Sequence, residues 1–273
     1  MERSYTMPNE GIEQDTSSVF GSFAAYYDLL YSEKDYGDES EFLRKVFQQY
    51  SQNDVRSILD IGCGTASHGV QLSLRGYDVT GFDLSHEMIA LAHKKVQDAG
   101  ASMSLHTMNM IDFAFDQSFD SAICMFAVLG YVTETNDLIS ALRNIRQHLP
   151  EGALFVFDVW NGLAVCHEMP SERMKTVTSG DIRVRRFIRP ELDVVNHVCH
   201  NYYNLVVTRD DQIVQETEEV HTMRFFFPQE LDYYLQQAGF RMLKLSPFLE
   251  MDGVVDETVW NVSVVAQAVR QDL

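Results

Sequence analysis

Cysteine is scarce in this chain. Its 273 residues hold 4, Cys63, Cys124, Cys166 and Cys199, and no two of them form a Cys-x-x-Cys pair. That scatter excludes a disulfide framework and a structural zinc site, and it reads as the reduced thiols of a cytoplasmic protein. Positive charge is scarce too: 21 Lys and Arg stand against 40 Asp and Glu, a formal net charge of -19. Such a surface repels nucleic-acid phosphates and anionic membranes, so no nucleic acid and no membrane is expected as a partner. No apolar run approaches the roughly 18 residues of a membrane span, and the polar, acidic amino terminus does not read as a secretory signal. There is no Gly-Lys-Ser/Thr phosphate loop, no Gly-x-Ser-x-Gly elbow, no internal repeat and no low-complexity tract. His197 and His200 lie three apart in a strand-like run, which turns them to opposite faces and argues against a metal pair.

One stretch, Ser57 to Ser85, organises the rest. Val55 to Ile61 predicts a short apolar strand that breaks into a glycine turn at Gly62-Cys63-Gly64. A helix is expected over Ala66 to Arg75, closed by Gly76, and a second strand over Tyr77 to Phe82 ends on Asp83. In a β-α-β unit the glycines then lie at the carboxyl end of the first strand, where open α/β sheets take ligands against bare backbone. Asp83, at the tip of the neighbouring strand, is placed to accept hydrogen bonds from both hydroxyls of a ribose. The dinucleotide fingerprint fails, because its third glycine would fall on Ser67. An adenosine-binding half-site is left.

The wording Leu59-Asp60-Ile61-Gly62-Cys63-Gly64-Thr65 resembles motif I of class I S-adenosylmethionine-dependent methyltransferases. The resemblance implies a glycine loop, with Asp60, Cys63 and Thr65, facing the methionine end of S-adenosyl-L-methionine, and Asp83 with Leu84 and Met88 around the ribose. Tyr26-Tyr27-Asp28-Leu29-Leu30-Tyr31 with Lys34-Asp35-Tyr36 resembles the amino-terminal cap of small-molecule methyltransferases. That makes Tyr27, Tyr31 and Tyr36 candidate lid residues over the cofactor. Asn109-Met110-Ile111-Asp112-Phe113 resembles the Asp-Met-x-Asp-Phe stretch of sugar N-methyltransferases, whose first two residues flank the adenine. Cys124 to Tyr131 resembles the loop that runs past the sulfonium and the acceptor, which implies Met125 on the cofactor and Tyr131 on the acceptor.

Elsewhere the pattern is read from the residues. Phe23, Tyr27, Leu30 and Tyr31 mark one helical stripe, and Glu39 to Tyr50 a second amphipathic helix. Ser85 is a good N-cap for a helix to Gln97, and Thr135 for one carrying Leu138, Ala141, Leu142 and Ile145. Strands are expected over Met103 to Met108, Phe119 to Phe126 and Ala153 to Val159, the last putting Asp158 and Trp160 on the ligand edge. From Leu163 to Phe226 alternation takes over, with strands over Arg183 to Ile188, Val194 to Val207 and Ile213 to Phe226 and a hairpin turn at Asp210-Asp211. A helix from Pro228 and two strands, Phe240 to Leu245 and Val259 to Val269, complete the chain.

The expected fold class is α/β: a Rossmann-like, seven-stranded methyltransferase sheet with an inserted antiparallel β lid. Residues 1–18 are expected to be a flexible terminus, 19–162 and 227–273 a methyltransferase core, and 163–226 the lid over the substrate. The activity implied by the resemblance is methylation of a small molecule, with N-methylation of an amino sugar, nucleotide-linked or not, ahead of O-methylation or amino-acid N-methylation. A non-catalytic S-adenosylmethionine-binding sensor or partner protein is the competing class, and a homodimer is left open. One of Asp158, Glu219 and His221 is expected to accept the proton that the acceptor releases, the last two sharing a strand face in a Glu-x-His-x-x-Arg stretch that ends at Arg224. Arg183, Arg185 and Arg189 share one face of a lid strand, opposite Arg186. Two readings of them stay open: a solvated strand paired with acidic neighbours, or, with Trp160 and Arg224, a docking site for an anionic handle.

Overall fold

The computed structural model describes residues 23–270, so the expectation for residues 1–18 lies outside the described residues. A seven-stranded sheet runs in the order β10-β11-β5-β4-β1-β2-β3. Its parallel part consists of β1 (Ser57–Ile61), β2 (Asp78–Asp83), β3 (Met103–Thr107), β4 (Ser121–Cys124) and β5 (Leu154–Trp160). β11 (Asn261–Ala268) pairs antiparallel with β5, and β10 (Phe240–Pro247) antiparallel with β11. Central strands are buried on both faces, and β4 and β5 accordingly read as continuous apolar runs. Asp158 is the exception within β5, a carboxylate only 1% exposed.

Helices α2 (Tyr36–Tyr50), α3 (Ser67–Leu74), α4 (His86–Asp98), α5 (Thr135–Gln147) and α7 (Pro228–Gln237) cover the sheet. Each buries the apolar stripe its spacing predicts, for example Leu138, Ala141, Leu142 and Ile145 in α5. Ser85 caps α4 by accepting from the Met88 amide. Thr135 differs from expectation. It is the first residue of α5, and its hydroxyl accepts a hydrogen bond from Arg224 instead of capping the helix.

A second sheet, antiparallel throughout, has the order β6-β7-β8-β9. Its strands are β6 (Arg173–Ser179), β7 (Ile182–Asp193), β8 (Val198–Arg209) and β9 (Gln212–Arg224). The short α6 (Gly162–Glu168) and β6 fall in a stretch where the sequence predicted neither. β6 is an exposed edge strand with no buried face to impose alternation on its residues. The Asp210-Asp211 turn is as expected, with both residues left-handed at φ +48° and +60°, a geometry that Asp tolerates and that suits a two-residue hairpin. Helix α1 (Ala24–Leu30) packs Phe23 and Leu30 against Val184, Leu205 and Val207 of this sheet.

The chain order reverses beside β1, whose neighbours are β2 and β4. A crevice opens there at the carboxyl ends of the parallel strands, which is where doubly wound sheets place their ligands. Among the described residues no helix is long and apolar enough to cross a membrane.

Candidate functional site

A cavity of about 450 Å³ occupies that crevice, within the range of small-molecule sites. The glycine loop forms its floor. Gly62, Gly64 and Ala66 are left-handed, at φ +64°, +55° and +62°, and fold the chain back from β1 into α3. A Cβ on Gly64 would meet nothing within 4 Å, so this backbone faces the open cavity. A Cβ on Gly62 would sit 2.3 Å from Cγ1 of Val128. Gly62→Ala is therefore expected to cost about 1–3 kcal/mol through crowding and a disfavoured φ. A thermal melt indistinguishable from that of the parent chain would contradict this.

Asp83 is tied to the same loop. One of its oxygens accepts the Gly64 N–H at 2.9 Å and the other the Ser85 N–H at 2.9 Å. Each oxygen keeps a second lone pair for a ligand. Burial pushes the carboxyl above its usual range, against the pull of these donors. Leu84, Met88, Met108, Asn109, Met110 and Ile111 extend the wall from Asp83. The Asn109 oxygen already accepts the Ile111 amide at 3.1 Å. The bare glycine backbone, the carboxylate and the apolar slot beyond it fit an adenosine with a side chain at its 5′ end.

Asp60 lies beneath the floor, 2% exposed, and one of its oxygens has no hydrogen-bond partner. Burial, with the nearby Asp83 charge, raises its carboxyl to about 7. A folded-state value above the unfolded value of about 3.9 means that the folded chain holds a proton the unfolded chain has lost. The contribution to stability thus falls as pH rises from about 4 to about 7, by several kcal/mol at most. Asp60→Asn is expected to gain stability relative to the parent across that window, read from denaturant melts at pH 5 and pH 8. A difference that stays flat with pH would rule this out.

The opposite wall is built on backbone strain. Phe126 and Ala127, after β4, are both left-handed at φ +75° and +56°. The Asp158 carboxylate holds them, one oxygen accepting the Phe126 N–H and the other the Ala127 N–H at 3.0 Å. Burial lifts Asp158 to about 7 despite these two donors. Phe126 so placed meets the edges of Tyr27 and Tyr31, at 6.5 Å and 5.0 Å between centroids.

Above this wall runs a chain of three polar side chains. The Tyr131 hydroxyl lies 2.9 Å from Nδ1 of His221, and Nε2 of His221 lies 3.1 Å from a Glu219 oxygen. Glu219 also accepts the backbone N–H of Phe23. His221 is fully buried, stacked on Tyr203 at 4.3 Å, with Tyr131 at its edge. Tyr131 lines the cavity, and burial holds its phenol well above the ordinary tyrosine range.

The structure brings many of the expected residues to one wall or another: Tyr27, Tyr31, Gly62, Gly64, Asp83 and Leu84, and on the far side Tyr131, Asp158 and Trp160. Met88, Asn109 and Met110 join them. Others stand behind the wall. Cys63 is buried with its sulfur against Gly81, and Met125 packs into the core under α2. Thr65 is clasped by Asp28 and Lys95, which also bond each other, tying α1 to the glycine loop and α4. Tyr36 packs on His68.

The arginines are the clear correction. Arg183, Arg185 and Arg189 lie on the outer face of β7, the first paired with Asp211 and the last with Glu191. Val184 and Ile188 fill the inner face, so Arg186 is the one that turns inward; it donates to the Tyr31 hydroxyl at 2.8 Å. Arg224 is buried and spent on Thr133, Thr135, Glu230 and Tyr234, tying β9 to the Tyr131 loop and α7. Sequence reasoning missed Phe126, Tyr203 and Arg186. The alternation of β8 gave a signal for Tyr203, but nothing local marked Phe126.

Residues 58–152 match the family model of a methyltransferase domain. A putative methyltransferase of Geobacillus sp. (strain WCH70) is 27% identical over 228 residues, 84% of this chain and 91% of that protein. The dTDP-3-amino-3,4,6-trideoxy-alpha-D-glucopyranose N,N-dimethyltransferase of Streptomyces venezuelae is 31% identical over 139 residues, 50% of this chain and 56% of its own. In fold, the chain is similar to an S-adenosylmethionine-dependent methyltransferase from Clostridium acetobutylicum ATCC 824, with a TM-score of 0.79 at 18% identity. That match covers 92% of this chain and all of the other.

Proposed function

We propose that this chain, which is an S-adenosylmethionine-dependent methyltransferase, methylates the amino nitrogen of a small molecule of the amino-sugar kind. The observation that carries the reading is the Tyr131–His221–Glu219 chain opening on the cavity, because an amine that gains a methyl must give up a proton. The match to the amino-sugar dimethyltransferase of Streptomyces venezuelae supports the acceptor class.

S-adenosylmethionine, when bound, supplies a methyl group made electrophilic by its sulfonium. Gly62 and Gly64 would take its amino-acid end on bare backbone, Asp83 its ribose diol, and Leu84, Asn109 and Met110 its adenine. What the protein adds is orientation, worth about 7–11 kcal/mol in well-aligned cases, and exclusion of water. Tyr27 on α1, Tyr31 just after it and Tyr203 on the second sheet roof the cavity, and the Lys95–Asp28–Thr65 clasp holds that roof to the glycine loop. We read residues 163–226 as the lid of the substrate side on this basis.

The proton route follows from the hydrogen bonds. The Tyr131 oxygen accepts the amine's proton as its own O–H passes to Nδ1 of His221. The Nε2–H of His221 then moves toward Glu219, leaving the relay one proton richer and the product neutral. Asp158 lines the same cavity, and each of its oxygens accepts one backbone N–H, which fixes the Phe126 loop. Transfer of labelled methyl from S-adenosylmethionine to amino sugars, but not to their hydroxyl analogues, tests the reading. Labelling of the hydroxyl analogues alone would replace it with O-methylation.

A further inference from the structure

We propose that the acceptor carries its amine without a nucleoside diphosphate handle: a free amino compound, cationic at neutral pH. The inference rests on the preceding reading and deepens it. Four carboxylates line the cavity, Asp83, Asp158, Glu134 and Asp137, and among the described lining residues there is no Lys, Arg or His. A diphosphate entering this space would add two or more negative charges beside them. Recognition of such a group calls for guanidinium or ammonium donors aimed at its oxygens.

Among the described residues, the arginines of β7 and β9 stand outside the cavity lining. Arg183 and Arg189 are exposed on the outer face of the lid strand and paired with Asp211 and Glu191. Arg224 spends its guanidinium on Thr133, Thr135, Glu230 and Tyr234. Two cations do approach the roof from behind. Arg186 donates to the Tyr31 hydroxyl and lies 5.3 Å from that ring and 5.6 Å from Tyr203. Lys34 is paired with Glu39 and lies 4.5 Å from the Phe126 ring. Neither is among the described residues that line the cavity; Lys34 is held by Glu39, and Arg186 by the Tyr31 hydroxyl, with its Nε buried and unpartnered.

Glu134 and Asp137 stand at the exposed end of the same cavity, next to Tyr131 and Thr133. A protonated amine is drawn to these carboxylates and, over distance, to a chain of net charge -19, while a phosphorylated one is repelled by both. Tyr131 and Trp160 line the cavity with aromatic rings that a cationic head can meet. The proton that makes the amine cationic must leave before the nitrogen can attack, and at the cavity mouth water accepts it.

The test uses the full chain loaded with S-adenosylhomocysteine, whose own binding is measured first. If it does not bind, the methyltransferase reading fails and this inference fails with it. With it bound, thymidine diphosphate titrated by calorimetry at about 20 mM salt is expected to show no saturable binding, even where screening is weak. An aminohexoside without phosphate is expected to be methylated with kcat/KM at least about tenfold above that of its thymidine-diphosphate-linked form. Its kcat/KM should fall as salt rises, as attraction between opposite charges requires. Saturable thymidine diphosphate binding that Arg186→Gln abolishes, preference for the linked form, or kcat/KM that rises with salt would each overturn the inference and leave the methyltransferase reading standing.

Discussion

Tyr131→Phe is expected to lower the rate of methyl transfer about 100-fold or more, with S-adenosylmethionine affinity close to that of the parent. General-base chemistry by a placed side chain typically contributes about 10²- to 10⁴-fold, and this substitution removes only the oxygen proposed to take the proton. The ring stays, still edge-on to His221 at 5.9 Å, so packing is little disturbed. His221→Ala should cut the rate by as much and also destabilise the fold. His221 is fully buried between Tyr203 and Tyr131, and its loss strips a hydrogen bond from Glu219, a carboxylate that is itself largely covered. Leaving a buried charged group short of a partner costs upward of about 1–3 kcal/mol. Single-turnover rates beside thermal melts separate the two effects. A Tyr131→Phe chain within about threefold of the parent would remove Tyr131 from the proton route, since a working base is worth far more.

The second large effect is on the cofactor. Asp83→Ala is expected to weaken S-adenosylmethionine binding at least about tenfold, measured by calorimetry on a chain shown to be folded. Charge-assisted hydrogen bonds to a ribose diol are worth about 1.5–3 kcal/mol each. The substitution also releases the Gly64 and Ser85 N–H groups that the carboxylate holds at 2.9 Å. The left-handed turn at Gly62 and Gly64 then keeps the Cys63 N–H bond to the Phe82 carbonyl of β2 but loses the one through Asp83, and the floor of the cavity loosens. An affinity within about twofold of the parent would place the ribose elsewhere, because a lost charged hydrogen bond cannot cost so little in a site this covered. The comparison with Gly62→Ala is informative: crowding against Val128 acts on stability first, whereas Asp83→Ala acts on binding first.

Much of this site is written locally. Glycine at a strand end, a carboxylate at the tip of the next strand and an apolar helix between them are effects of turn chemistry and period, which need no knowledge of the rest of the chain. The sequence by itself therefore determined the β-α-β unit, the Gly62–Gly64 floor, Asp83 beside it, the order of helices and strands apart from α6 and β6, and the presence of an antiparallel insertion. It also determined that Arg186 stands opposite Arg183, Arg185 and Arg189, since side chains alternate along any strand. Which face turns inward is a different matter. α1 decided it by packing Phe23 and Leu30 against Val184 and Leu205, and the side carrying Arg186 was buried as a result. Asp158 reads in sequence as a carboxylate on the ligand edge, but only the fold gives it two backbone amides of a strained loop 31 and 32 residues away. Tyr131 and His221 are 90 residues apart in the chain, and only the docking of β9 over the end of β4 makes them neighbours. Local chemistry selects conformations within a turn or a strand; contacts between distant residues depend on how complete elements pack, and that packing placed the Tyr131–His221–Glu219 chain, the roof and the acidic mouth of the cavity.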